Sequence, residues 1–174
     1  LKTYEPDLSG EARALRVGEA VNIRMLDFKL KGTPDINRPL AADIKGSHIA
    51  LSGGATVIDS VDLSLNGTGA QHRIHGSSSM ALDGKPYKLE VNAAGGLNKD
   101  FNQWKGSVDT LDIGGAFNLK LQNRMNLEAG AERVSMSAAR WSVMRGSLNL
   151  QNFVWDKKTG ITSKGSAQSL HITE

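Results

Sequence analysis

The sequence predicts an all-β domain with one apolar and one polar face, on two observations. First, the stretch "LDFKLKGT" at 26–33 alternates Leu26, Phe28 and Leu30 with Asp27, Lys29 and Lys31. A helix would turn Phe28 about 200° from Leu26, whereas a strand places all three apolar residues on one side. Second, the stretch returns as "VDLSLNGT" at 61–68, with Val61, Leu63 and Leu65 alternating with Asp62, Ser64 and Asn66. Both copies close on Gly-Thr, a turn signal. Upstream, "GEA" at 18–20 is matched by "GGA" at 53–55, so the repeated unit is larger than one octamer.

The remaining elements follow in chain order. A second pattern, Gly followed by Ser or Glu and ending Leu, polar, Val or Ile, reads "GEARALRV" at 10–17, "GSVDTLDI" at 106–113 and "GSAQSLHI" at 165–172. Its unequal spacing excludes a solenoid of fixed period. Between these, alternation runs through Tyr87, Leu89, Val91 and Ala93; Phe117, Leu119 and Leu121; Met125, Leu127 and Ala129; Val134, Met136 and Ala138; Trp141 and Val143; Leu148 and Leu150. About a dozen strands result, separated by turns such as "DGKP" at 83–86 and "KKTG" at 157–160. Phase is lost between Val108 and Leu111, and between Leu150 and Val154 with Phe153 and Trp155 beyond, which predicts a β-bulge at each place. "EARALRVGEAV" at 11–21 and "AERVSMSAARW" at 131–141 also fit a helical face; strand is the reading adopted for both.

Composition narrows the function. The 174 residues suffice for a single β domain spanning 1–174, and with Leu1 in first place the chain is expected to be a segment of a longer protein. Hydrophobic residues make up 39% and aromatics 5%, with 19 glycines, so the apolar face is aliphatic. A net charge of +3 and a longest basic run of Lys157-Lys158 argue against nucleic acid as a partner. Without cysteine there is no disulfide, thiolate ligand or thiol nucleophile, and no apolar run reaches the roughly 18 residues of a membrane helix.

No motif carries catalysis, and the chain is read as a non-enzyme without metal or cofactor. His72 and His75 stand three apart, on opposite faces of a strand, and are expected to be exposed polar residues instead of ligands of one ion. "KTG" at 158–160 lacks the accompanying Ser-x-x-Lys and Ser-Asp-Asn motifs of penicillin-binding enzymes and reads as a turn. Asp27, Asp62 and Glu90 alternate outward, and no acid and base can be paired. Asn66-Gly67-Thr68 fits a glycosylation acceptor but is equally a strand end. "GGLNKD" at 95–100 leads into another strand, not the helix of a phosphate loop.

An apolar sheet face must be covered, and a sandwich, a closed barrel or a curled open trough would each satisfy the alternation. Few aromatics mildly favour the trough, whose flexible aliphatic lining suits acyl chains. Trp104-x-Gly106 leading to Leu111, "FNLKL" at 117–121, "VSMSAARW" at 134–141, "GSLNL" at 146–150 and the closing "GSAQSLHI" together resemble the strand pattern of the TamB family, the inner-membrane subunit of the translocation and assembly module; the N-terminal half agrees in texture through "LDFKLKG".

That resemblance implies an elongated curled sheet forming an open apolar groove, the β-taco of AsmA-like and bridge-type lipid transfer proteins, with a β-sandwich as the alternative fold. It implies a periplasmic section of a protein anchored in the inner membrane of a Gram-negative bacterium. The implied partners are phospholipid acyl chains, the outer-membrane barrel TamA and nascent outer-membrane proteins. The implied role is phospholipid transport between the membranes, with support of outer-membrane protein and autotransporter assembly. A non-enzymatic adhesion or structural module, or a docking edge for unfolded outer-membrane proteins, is the alternative. The residues expected to line the groove are Leu26, Phe28, Leu30, Val61, Leu63, Leu65, Leu89, Val91, Leu111, Ile113, Phe117, Leu119, Leu121, Met125, Leu127, Val134, Met136, Trp141, Val143, Leu148, Leu150, Leu170 and Ile172.

Overall fold

A computed structural model describes residues 6–17, 21–33, 35–51 and 55–169. Thirteen strands form one sheet in which every pairing is antiparallel, and no helix occurs among the described residues. The first seven are a meander: β1 (Asp7–Val17), β2 (Val21–Gly32), β3 (Pro39–Leu51), β4 (Thr56–Thr68), β5 (His72–Leu82), β6 (Lys85–Leu97) and β7 (Gln103–Gly115). The next line is interrupted: β8 (Leu119–Leu121) pairs the end of β7, and β9 (Met125–Gly130) pairs its start. β10 (Arg133–Met136) and β11 (Ala139–Val143) form the following line, both against β12 (Gly146–Asp156), and β13 (Gly160–Gln168) closes the sheet. Of the two segments with helical character, 11–21 is strand over 11–17 and at 21, with 18–20 outside the described residues, and 131–141 is strand over 133–136 and from 139 onward; alternation matched to a neighbouring strand outweighs a helical stripe with nothing to pack on.

The repeated octamers now have a structural reading. They are β2 and β4, two strands apart and running the same way, with β3 between them in register: Leu26 faces Gly46, which faces Val61, and Phe28 faces Ile44, which faces Leu63. Their closing glycines, Gly32 and Gly67, have φ of 137° and 141°, which L residues rarely adopt. In the second pattern, Gly10 and Gly106 lie beneath the rings of Phe28 and Trp104, and Gly165 lies against Leu150, so the glycine makes room for a large side chain on the apolar face.

Both predicted bulges are present. Asp109 is the extra residue between Val108, opposite Ala93, and Thr110, opposite Asn92; Gln151 is the extra residue in β12 opposite β13. They belong to one crease, which continues through the breaks between β8 and β9 and between β10 and β11. Side chains there replace missing ladder bonds: Arg140 N–H donates to Asn123 Oδ1 (2.7 Å), Asn126 N–H to Ser137 Oγ (2.9 Å) and Lys164 N–H to Asn152 Oδ1 (3.1 Å), while Arg124 pairs with Asp109. A second crease crosses β1 to β4. Pairing skips Ala14, Arg24 and His48, and Asp59 is a bulge between Ile58 and Ser60. Ala14 and His48 there take left-handed φ of 51° and 52°. This second crease re-phases the strands so that Ile23, Ile49 and Ile58 rejoin the apolar face, and the bulges of both creases bend the strands, which curls the sheet.

The fold is an open curled sheet and not the alternative sandwich. Among the described residues, strands that are not hydrogen-bonded neighbours share at most marginal contact, and no pairing joins β1 to β13 to close a barrel. Ala93, Val108, Leu121, Met125, Ala139 and Trp141 form the buried hydrophobic core among the described residues, all on β6 to β11.

Candidate functional site

The antiparallel register carries the apolar positions of each strand straight across the sheet, so they line up as lanes perpendicular to the strands. One lane runs Phe28, Ile44, Leu63, Gly76, Val91, Leu111. Beside it run Leu8, Leu30, Ala42, Leu65, Ile74, Ala93, Val108 and Met125. On the other side run Ala12, Leu26, Gly46, Val61, Ser78, Leu89, Ile113, Leu119 and Val143. Past the crease the lanes continue as Leu121, Trp141, Leu148; as Leu127, Met136, Phe153; as Val134 with Trp155; and as Leu150 with Ala139.

The expected lining residues that lie in described strands therefore share one face. Phe117 stands outside the strands, in the bend between β7 and β8, and is 41% exposed. Leu170 and Ile172 lie outside the described residues. Ile44, Ile74, Trp104, Phe153 and Trp155 occupy the face without having been assigned to it; Ala42 and Ile44 do alternate, and the lane through β3 was legible from that pair.

On β1 to β5 the apolar face is half-exposed, and at the sheet edges it is open, with Leu8 and Ile161 at 56% and 69% exposure. Toward β6 to β11 it deepens into the buried cluster. The face is thus an open apolar surface, aliphatic over most of β1 to β5 apart from Phe28 and joined beyond them by Trp104, Trp141, Phe153 and Trp155, and its floor is most tightly packed at one end.

His72 corrects the expectation of an exposed polar residue. It is 4% exposed, within the row Gly67, His72, Gly95, Gly106 at the margin of the face. Its Nδ1–H donates to Thr68 O (3.0 Å), and its Nε2 accepts from Trp104 Nε1–H (3.0 Å), so the Nδ1–H tautomer satisfies both nitrogens. The sequence signal was the pair of glycines, Gly95 and Gly106, over which the Trp104 ring lies to reach the imidazole. Trp104→Phe keeps the ring and removes the donor, leaving a buried acceptor unpaired. Urea unfolding is expected to show a loss of about 1–2 kcal/mol. His75→Ala is expected to change stability by less than about 0.5 kcal/mol, because His75 lies exposed on the opposite face beside Asn92 (2.7 Å).

The opposite face is polar. Rows such as Asp27, Lys45, Asp62, Ser77, Glu90, Asp112, Lys120 place charges side by side, and Lys45–Asp62 (3.2 Å) and Lys120–Asp112 (2.9 Å) are ion pairs within this row. The hydrogen bond to Asp112, followed by its charge, holds Lys120 above the usual lysine range. Such exposed pairs are screened by solvent and serve mainly to keep this face wet. A depression of about 860 Å³ lies here, lined by Glu11, Asp27, Lys29, Asp43 and Lys45, whose interleaved charges offer no acid-base pair. The "KTG" residues are a turn, as expected: Asp156 Oδ1 accepts from Lys158 N–H (2.9 Å) and Thr159 N–H (3.1 Å), which lowers the Asp156 pKa.

No group of three or more candidate metal ligands occurs among the described residues. No helix among them is long and apolar enough to cross a membrane. Compared with known proteins, residues 2–162 match the family model described as TamB, N-terminal domain. No curated protein matches, and no solved structure matches.

Proposed function

Because the chain belongs to the TamB family, whose members are non-enzymatic, membrane-anchored components of a periplasmic bridge and assembly apparatus, we propose that its sheet is one section of a bridge that carries phospholipid between the inner and outer membranes of a Gram-negative cell. The observation that carries this reading is the set of apolar lanes running across successive strands, with no second layer over them among the described residues. A tail laid along a lane loses contact with water at about 0.8 kcal/mol per CH₂ buried. Successive strands repeat every 4.8 Å or so. Each rung resembles the last, so a tail advances without a deep trap, and no catalytic group is required.

The charged face keeps the outside of the bridge in the aqueous periplasm while the lanes hold the tails. Within a longer chain, further strands on β1 and β13 would extend the lanes, since apolar side chains on both edges remain exposed. Through that longer protein the bridge would meet its outer-membrane barrel partner, TamA. β13, exposed along its length and paired among the described residues with β12 alone, favours a second use: in place of a further strand of its own chain, its outer edge would take an extended segment of a nascent outer-membrane protein or autotransporter by strand addition.

A hydrophobic dye tests the carriage reading. The folded protein is expected to bind it, with unchanged far-ultraviolet dichroism, and to release it to a short-chain phospholipid below its micellar concentration. No binding by the folded chain would favour the adhesion or structural alternative.

A further inference from the structure

The buried polar groups single out one position on the lanes. Among the described residues, three side-chain atoms are buried without a hydrogen-bond partner: Thr33 Oγ1, Asp112 Oδ1 and Trp141 Nε1. Thr33 and Asp112 belong to half-buried residues, and the other carboxylate oxygen of Asp112 is already paired with Lys120. Trp141 differs. It is 5% exposed, it stands on the apolar face between Leu121 and Leu148, and it belongs to the packed cluster where that face is deepest. Trp104, on the same face, shows what a satisfied indole looks like here, with its N–H held by His72. An indole N–H has donor capacity only, and leaving it unpaired away from water is costly. A purely hydrocarbon-binding floor would be better served by Phe.

We propose that Trp141 is a recognition residue for the ester junction of an acyl lipid, its Nε1–H donating to the ester carbonyl oxygen of a tail lying in the lane. This rests on the lipid-carrying reading above. The chemistry fits one class of cargo: an apolar chain with a strong uncharged acceptor at its head end. A fully apolar chain supplies no acceptor, and an ether-linked lipid supplies only a weak one. The N–H lies below the surface of the lane, so the carbonyl reaches it after the tail has parted neighbouring aliphatic side chains such as Leu121 and Leu148. Such a contact marks a register along an otherwise uniform track: tails slide over β1 to β5 and pause where the ester meets Trp141.

The test compares diacyl and diether phosphatidylglycerol of identical chain length, added as monomers to the folded protein and to its Trp141→Phe variant, with bound lipid counted by native mass spectrometry. Wild type is expected to bind the diacyl lipid about tenfold more tightly than the diether lipid. Trp141→Phe is expected to keep the diether affinity and lose the preference. Retained diether binding also shows that the variant is folded. Equal wild-type affinities for the two lipids would overturn the role of Trp141 and leave lipid carriage standing. A preference that survives in Trp141→Phe would assign ester recognition to another group and overturn it as well. Binding of neither lipid by wild type would remove both this inference and the reading on which it rests.

Discussion

Leu63→Asp is expected to abolish lipid carriage while Ser64→Asp leaves it close to wild type. The two positions are adjacent in β4 but face opposite ways. Leu63 lies between Ile44 and Gly76 in the central lane, with its Cδ1 3.2 Å from where a Cβ on Gly76 would sit. A carboxylate there interrupts the apolar track, and a passing tail would have to strip it of water, at a cost of several kcal/mol. Flux through the section would fall by at least tenfold. Ser64 lies between Asp43 and His75 on the polar face. A new carboxylate opposite Asp43 costs at most about 1 kcal/mol of stability and touches no tail. Ser64→Lys, which faces the same Asp43 favourably, is the companion control. Lipid transfer between donor and acceptor vesicles, measured on the full-length protein with melting curves for each variant, separates lost function from lost fold. Equal loss in well-folded Leu63 and Ser64 variants would contradict a one-sided groove.

The largest expected effect on stability comes from Gly96→Ala. A Cβ on Gly96 would sit 1.7 Å from the carbonyl oxygen of Ala70 and 2.2 Å from its carbon. These are backbone atoms of the turn between β4 and β5, and they cannot turn aside as a side chain would. That turn is fixed on both sides, by Ala70 N–H donating to Ile36 O (2.7 Å) and by Leu97 N–H donating to Gly69 O (2.8 Å). The methyl group must push the turn off β6 and away from the Leu97–Gly69 bond, so a loss of roughly 3 kcal/mol or more is expected in chemical unfolding. Gly84→Ala supplies the comparison. Its φ of 74° is unfavourable for alanine, but its Cβ would meet nothing within 4 Å, and about 1 kcal/mol is expected. Similar costs at the two sites would mean that the turn does not lie against β6 as described.

Much of the apolar face was legible before the structure, because alternation and register are both properties of period two. Leu26, Phe28 and Leu30 had to share a side, and once β3 lies between the two octamers, Val61, Leu63 and Leu65 must share it too. The bulges near Asp109 and Gln151 were legible as lost phase. The crease through β1 to β4 was not. Its phase change falls among Gly46, Ser47 and Ser60, small or polar residues that hide where one alternation ends and the next begins, and Ile49 and Ile58 were not assigned to the face they join. The buried state of His72 was hidden for another reason. Its partner, Trp104, is 32 positions away, and only the pairing of β5, β6 and β7 brings the two rings together. Whether the sheet curls open or closes on a second layer was not legible in the alternation itself, since inward and outward positions alternate identically in a sandwich, a barrel and a trough; the scarcity of aromatics and the family resemblance pointed to the open sheet. The set of strand neighbours makes the distinction.

The central claim, that one face of this sheet carries lipid and the other does not, is tested most directly by photocrosslinking in living cells. A photoreactive amino acid is placed at position 63 or 64 of the full-length protein, and adducts are identified by mass spectrometry. Phospholipid adducts from position 63 and none from position 64 are the expected result. Lipid adducts from neither position, with both proteins folded and both probes incorporated, or from both equally, would contradict it.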